Sequence, residues 1–161
     1  MVFSKILFAA VAGAVVSSAS SFTYEVIDQT SSDAHIQEIE FEVSPPGEVS
    51  AGESVVVAGS GVISLGVDVT GGSYSIDMVS LGLPIFSHTG PVCGDDGFDL
   101  PLDLGNATVS LLDCPETAGD RVTLDINVNF KAAPPADVQC TIRAYQQGKE
   151  EMITFALNVF R

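Results

Sequence analysis

The ten residues from Arg121 to Phe130, RVTLDINVNF, decide the fold. In an extended chain Val122, Leu124, Ile126, Val128 and Phe130 point one way, and Arg121, Thr123, Asp125, Asn127 and Asn129 point the other. A strict period of two is the signature of a half-buried antiparallel strand. Working outward, Asp137 to Tyr145 repeats the pattern, with Val138, Cys140, Ile142 and Ala144 on one face. Ile39, Phe41 and Val43 alternate with Glu38, Glu40 and Glu42, and Tyr74, Ile76 and Met78 alternate with Ser75 and Asp77. Val55 to Val57 and Val62 to Val69 are rich in β-branched residues and are expected to be strands. Met152 to Phe160 is apolar at most positions of both faces, so parity does not name its inner side. No useful window carries apolar residues at helical spacing.

Turn signals divide these runs at short intervals: Pro45-Pro46-Gly47, Gly71-Gly72, Gly90-Pro91 and Pro134-Pro135. Short alternating strands with such punctuation predict an all-β sandwich or barrel. Gly94 to Gly105 reads as one longer irregular stretch, of the kind that is functional or covalently tied down. Residues 22–35 are polar and mixed, and are expected to form an N-terminal arm or a short first strand.

The chain has 161 residues, 6 Lys and Arg against 21 Asp and Glu, a formal charge of -15 and 46% hydrophobic residues. Its mean hydropathy is +0.35. The length suits one domain, able to bury roughly 68–70% of its unfolded surface. A nucleic-acid partner needs a stripe of cations, and six scattered ones do not make it. Nor do they make a polybasic patch for anionic membranes. Disorder is at odds with the high apolar content.

Part of that apolar content is a leader. Lys5 supplies a positive start, Ile6 to Val16 is an uncharged apolar run, and Ser17-Ser18-Ala19 has the small-x-small pattern of a signal-peptide cleavage site. Residues 1–19 are therefore expected to be a signal peptide, cut near 19–21. The run is short of the ~20 residues that span a bilayer, and no later stretch is long and apolar enough for a transmembrane span. The mature chain is expected in the secretory route: secreted, or in an endo-lysosomal or vacuolar lumen.

In such an oxidising compartment thiols tend to pair. Three cysteines allow three single pairings. Cys93 and Cys114 flank the long middle stretch, and a bridge there would close about 22 residues and stabilise by roughly 3 kcal/mol. Cys140 falls on the apolar face of its strand, as a small buried hydrophobe would. Its other reading is a reactive or intermolecular thiol.

Catalytic and metal signals are thin. Only His35 and His88 exist, and neither a G-x-S-x-G elbow nor H-E-x-x-H or paired-Cys spacing is present. His88 reads as a polar loop residue, or as one at a cavity rim. Gly94-Asp95-Asp96-Gly97-Phe98-Asp99 lacks the D-x-[DN]-x-[DN]-G spacing and distal Glu of a calcium loop, and reads as a solvated acidic loop. Paired carboxylates for sugar chemistry would want stacking aromatics, and the chain has no Trp and three Tyr. No enzymatic activity, cofactor or metal is expected. Asn106-Ala107-Thr108 is an N-glycosylation sequon. What stands out is apolar surplus: Leu81, Leu83, Ile85 and Phe86 crowd one stretch, and Ile153, Phe155, Leu157 and Val159 another. Such an interior can interdigitate tightly or part to hold a ligand.

The order of these features resembles the ML (lipid-recognition) domain family, which includes the Niemann-Pick type C sterol carriers, fungal phosphatidylglycerol/phosphatidylinositol transfer proteins and mite group 2 allergens. The likeness runs from Ile39 to Phe160. It is carried by Pro46-Gly47 to Gly52 with the Val55-to-Gly61 strand, and by the Tyr74-to-Phe86 stretch with its aliphatic hairpin. Cys93 followed by Cys114-Pro115 and Gly119 matches the family's Cys and Cys-Pro-x-x-x-Gly. Val122 to Phe130, Ala133-Pro134-Pro135 and Thr141 to Tyr145 resemble its last hairpin. The family's bridge between the first and last strands has no counterpart, since the matching places are Pro45 and Ile153, and Cys140 lies outside its pattern.

The resemblance implies an immunoglobulin-like sandwich of two antiparallel sheets over residues 36–161, with an apolar cavity between them. It also implies a lipid ligand, a sterol or a phospholipid acyl chain, held reversibly. Parity and resemblance together give the expected lining: Phe41 and Val55; Ile76, Met78, Leu83 and Ile85; Val122, Leu124, Ile126 and Val128; Ile142 and Phe155. Leu83 to His88 is the expected mouth, with Phe86 and His88 at its rim. The resemblance supports the Cys93–Cys114 pairing. A monomer that hands its lipid to a membrane-protein acceptor is expected. The alternative is an immunoglobulin-like extracellular interaction module with a closed core.

Overall fold

A computed structural model describes residues 20–147 and 150–161. The leader expected over residues 1–19 lies outside them. The strands in chain order are β1 Ser21–Asp28, β2 Ile36–Ser44, β3 Glu48–Ser50, β4 Ser54–Ile63, β5 Gly72–Ser80, β6 Leu83–Pro91, β7 Asp95–Asp99, β8 Gly105–Ser110, β9 Arg121–Phe130, β10 Val138–Gln146 and β11 Glu151–Phe160. A 3-10 turn, Pro101–Asp103, separates β7 from β8. The strands form two sheets packed face to face. One has six strands in the order β3-β1-β11-β10-β5-β6, the other five in the order β2-β4-β9-β8-β7. All pairings between strands are antiparallel. This is the all-β sandwich that the alternation predicts.

The alternation turns directly into layers. In β9 every even-numbered residue from Val122 to Phe130 is buried, and its polar partners face out. β11 runs between β1 and β10, and Met152 to Leu157 are buried on both faces, with the Gln29 amide and the Thr30 hydroxyl donating to the Thr154 carbonyl. Burial of both faces is why the two look alike in sequence. Phe22 packs on Phe130 across the sheets at 4.6 Å, and Phe41 on Phe155 at 4.8 Å.

Three expectations change, and one alternative is decided. Of the arm or short first strand expected over residues 22–35, the strand forms: Ser21–Asp28 is bonded to β11 on one side and β3 on the other. Phe22 plugs it into the core. Gly94 to Gly105 is not irregular throughout: Asp95–Asp99 pairs residue by residue with β8, and a turn follows at Pro101–Asp103. The five residues Asp95–Asp99 carry a single apolar side chain, Phe98, and the ladder of the neighbouring strand makes them a strand. His88 lies on strand β6, not in a loop. Val62 to Val69 is not one strand: β4 ends at Ile63, and Val69 only bridges to Glu116.

The two ends of the sandwich differ. At the end where β9 begins, the sheets are joined by the Cys93–Cys114 disulfide, with Cα atoms 5.4 Å apart. Backbone bonds reinforce it: Val92 donates to Gly72, Leu112 to Val92, and Gly94 to Leu112. At the other end stand the β5–β6 turn, the 3-10 turn and the connection from Lys131 to Asp137. There Leu81, Leu83 and Leu102 are 83%, 66% and 69% exposed. Leu81 and Leu102 hold φ of 51° and 58°, a left-handed backbone that residues other than glycine rarely take.

Candidate functional site

Between the sheets, toward the Phe130 end of β9, lies a cavity of about 50 Å³ with a wholly apolar wall. The six-stranded sheet lines it with Ile76 and Met78 of β5, Val138, Cys140 and Ile142 of β10, and Phe155, Leu157 and Val159 of β11. The five-stranded sheet lines it with Val57, Phe98, Ala107, Ile126, Val128 and Phe130. Leu100, Leu104 and Pro134 close its end. A void without polar partners stays dry and is a place for apolar groups. The Cys140 thiol in its wall is pushed up to about 12, chiefly by burial and further by the charge of Asp77. It stays protonated and behaves as a small apolar filler.

Of the twelve residues expected to line a cavity, the structure gathers six here: Ile76, Met78, Ile126, Val128, Ile142 and Phe155. Val122 and Leu124 lie at the opposite end, around a gap of about 10 Å³ shared with Ile36, Ala144, Met152 and Ile153. Val55 is core, Phe41 covers Phe155 near the β2 edge, and Ile85 is half-buried against the core. Leu83 is a correction: it points to solvent beside the hairpin tip. It pairs with Ser80 in the last rung of the β5–β6 ladder, so its place at the tip, not its parity, leaves it exposed. Sequence reasoning missed Phe98, Leu100 and Leu104, which lie in the stretch read as irregular. It left Leu157 and Val159 unassigned because both faces of β11 are apolar.

A polar cluster sits beside the cavity. β6 is the edge of one sheet and β7 the edge of the other, and no backbone ladder joins them. Side chains do. Tyr74 Oη donates to Asp96 Oδ2 at 2.7 Å, and the His88 ring lies with Nε2 2.8 Å from the same oxygen. Facing a carboxylate, that nitrogen carries the proton. The Gly97 amide donates to Asp96 Oδ1 at 2.8 Å. These bonds, led by that from His88 and then Tyr74, hold the Asp96 carboxyl below the usual range. Burial, and then Asp96, push the Tyr74 phenol up. The His88 ring stacks on Phe98 at 4.4 Å, and Phe98 on Phe86 at 5.6 Å. Phe86 and His88, the expected mouth residues, thus lie together where the two edges meet. Asn106 is exposed on the outer face of β8, where its side-chain oxygen accepts a bond from Asn129.

No protein-family model matches the chain, and no curated protein matches it by sequence. Its fold does match solved structures. Chicken MD-1 complexed with lipid IVa aligns with a TM-score of 0.52 and 12% identity, over 89% of this chain and 98% of that one. A Niemann-Pick type C2 protein from Japanese carpenter ant aligns with a TM-score of 0.50 and 15% identity, over 83% and 96%. Both are ML-domain proteins, and this chain has the two-sheet sandwich of that domain. Among the described residues no helix is long and apolar enough to cross a membrane.

Proposed function

We propose that this protein is a lipid carrier which takes a sterol or a phospholipid acyl chain between its sheets and releases it unchanged. The observation that carries this is the wholly apolar cavity, set at the end of the sandwich away from the Cys93–Cys114 disulfide. The fold supports it, since one neighbour of this fold, chicken MD-1, was solved in complex with lipid IVa.

The cavity's size sets a condition. Pockets for ligands of that size run to roughly 300–1,000 Å³, so a cavity of about 50 Å³ must widen to hold one. The sheets must part to load. The facing side chains are apolar, so parting gives up burial and dispersion contacts that an entering chain restores. Each Å² of apolar ligand surface taken from water contributes about 25 cal/mol, enough for several kcal/mol with a long chain. No bond in the ligand changes, and the chain acts without catalysis. Secretion or an endo-lysosomal lumen suits the disulfide. A monomer that meets a protein acceptor in the membrane suits the charge of -15, which disfavours anionic bilayers.

The small cavity also favours a second reading, an extracellular interaction module with a closed core. Native mass spectrometry of the secreted protein, with lipid extraction and displacement of fluorescent sterol and acyl probes, separates the two. Recovered lipid and saturable displacement are expected. A protein that arrives empty and displaces neither probe is the closed module.

A further inference from the structure

The lipid reading leaves open where the sandwich parts, and three observations point to one place. The cavity wall includes Met78 and Phe98, which carry it up to the β6–β7 edge. That edge is held with decreasing strength along its length. The Cys93–Cys114 bond ties one end covalently. Asp96 then receives Tyr74 and His88. Beyond it Phe86, Phe98 and His88 only stack. Past Phe86 stands the exposed Leu83. β7 is also the easier edge to move: five residues long, bonded to β8 alone, and made of Asp-Asp-Gly-Phe-Asp, a sequence of low strand preference.

Gly90 adds an independent mark. A Cβ there would collide with the Asp96 carboxylate and with the Tyr74 ring. The sequence therefore keeps a glycine on β6 where the Tyr74–Asp96 contact needs the room. The cluster is self-contained. Tyr74 from β5 and Asp96 from β7 are the titratable groups bonded to or stacked with the His88 ring. Asp77 on β5 turns to the outer face, where it binds Ser87 and Arg143, and Asp95 and Asp99 alternate outward from Asp96.

Resting on the carrier reading, we propose that the β6–β7 seam is the door through which lipid enters the cavity, and that Tyr74, Asp96 and His88 are its latch. Charge-assisted bonds to one carboxylate hold the two edges together, and the disulfide is the hinge. Loading breaks these bonds, swings β7 from β6 and separates Phe98 from Phe86 and His88.

Two variants test the latch. Asp96→Ala removes the shared acceptor. His88→Phe removes one bond while keeping a ring to stack on Phe98, so the fold is kept. Two readouts follow: amide hydrogen exchange of β7 relative to β4, and stopped-flow uptake and release of a fluorescent acyl probe. Asp96→Ala is expected to speed both β7 exchange and probe uptake about tenfold or more, with His88→Phe in between and β4 exchange unchanged. Unchanged β7 exchange in both variants overturns the latch whether or not lipid binds. Faster β7 exchange with unchanged probe rates overturns the door, and lipid then enters elsewhere. Wild-type protein that binds no probe overturns the carrier reading and the door with it, while β7 exchange still reports on the latch by itself.

Discussion

The two ends of this sandwich are built from the same kinds of residue and are packed differently. Around Val122, Leu124, Ile36 and Ile153 the sheets interlock so closely that only about 10 Å³ is empty, and a disulfide and several backbone bonds cross the gap. Around Ile126, Val128, Ile142 and Leu157 the same alternation leaves about 50 Å³ open, with exposed leucines at the rim and the disulfide at the far end. Composition does not separate the ends. What separates them is what joins the sheets along the β6–β7 edge: a disulfide and backbone bonds at one end, side chains toward the other. A sandwich stapled at one end and latched midway can flex at the remaining end without losing its fold.

The sharpest way to break that contrast is to cut into each end in turn. Ile153→Ala at the closed end is expected to cost about 3–4 kcal/mol, because close-packed neighbours cannot collapse into the space. Val138→Ala at the open end is expected to cost only about 1–2 kcal/mol, since it widens a void already present, and to leave probe binding intact or tighter. Chemical denaturation of both variants checks this. Equal losses would mean that the ends are packed alike. The opposite change, Ala107→Val, puts carbon into the cavity. It is expected to alter stability by less than about 1 kcal/mol while weakening acyl-probe binding several-fold.

The disulfide comes next. Cys93→Ser is expected to remove roughly 3 kcal/mol, a drop in Tm of about 6–12 °C for a chain of this size. Cys140→Ala, at the open end, is expected to lower it by a third of that or less, since it trims one buried sulfur beside an existing void. Thermal melts of the two variants decide it. A Cys140→Ala loss as large as that of Cys93→Ser would place more of the fold's stability in the open end than the cavity allows.

Much of this architecture is legible from parity, and the misses share a cause. β9 and β10 could be read residue by residue because each has one wet face and one dry. β11 could not, because both of its faces are buried from Met152 to Leu157. β7 was invisible because Asp-Asp-Gly-Phe-Asp owes its strand to β8, a partner that no local pattern announces. Leu83 pairs with Ser80, in phase with Met78 and Tyr74, and is exposed because it stands at the hairpin tip, which parity does not report. The Cys93–Cys114 bridge was one of three arithmetical pairings until the resemblance favoured it, and the structure bears it out. The Tyr74–Asp96–His88 cluster joins three strands through two sheet edges, and nothing in the spacing of 74, 88 and 96 signals it.

Acid offers a smaller and more local probe of the same contrast. The Asp96 carboxyl lies below its usual range when folded, held there by His88 first and Tyr74 next. A group so lowered contributes stability above its unfolded value, near pH 3.9, and loses it as pH falls through the folded one. Protection of β7 amides relative to β4 is therefore expected to be flat above about pH 5 and to fall below about pH 4, with Asp96→Asn removing the dependence. Asp120, at the closed end, is also lowered, by bonds from Thr117, so global melting in acid mixes both ends. The β7-to-β4 ratio isolates the latch. A ratio that stays level down to about pH 2 would show that the carboxylate does not hold this edge.

The smallest stability effect is expected at the rim, and it separates fold from function most cleanly. Leu83 and Leu102 are 66% and 69% exposed, so replacing either with Ser removes almost no buried area and is expected to shift stability by less than about 0.5 kcal/mol. Leu102 sits in a left-handed conformation that a leucine gains nothing by adopting in water, and Leu83 stands just past the stacked rings at the end of the seam. If these side chains guide an acyl chain from a donor surface to the cavity, the double change to Ser slows probe uptake several-fold and leaves the amount bound at saturation unchanged. If uptake keeps its rate, the rim is ordinary surface and the energetic contrast lies wholly inside the sandwich, between the stapled end and the latched one.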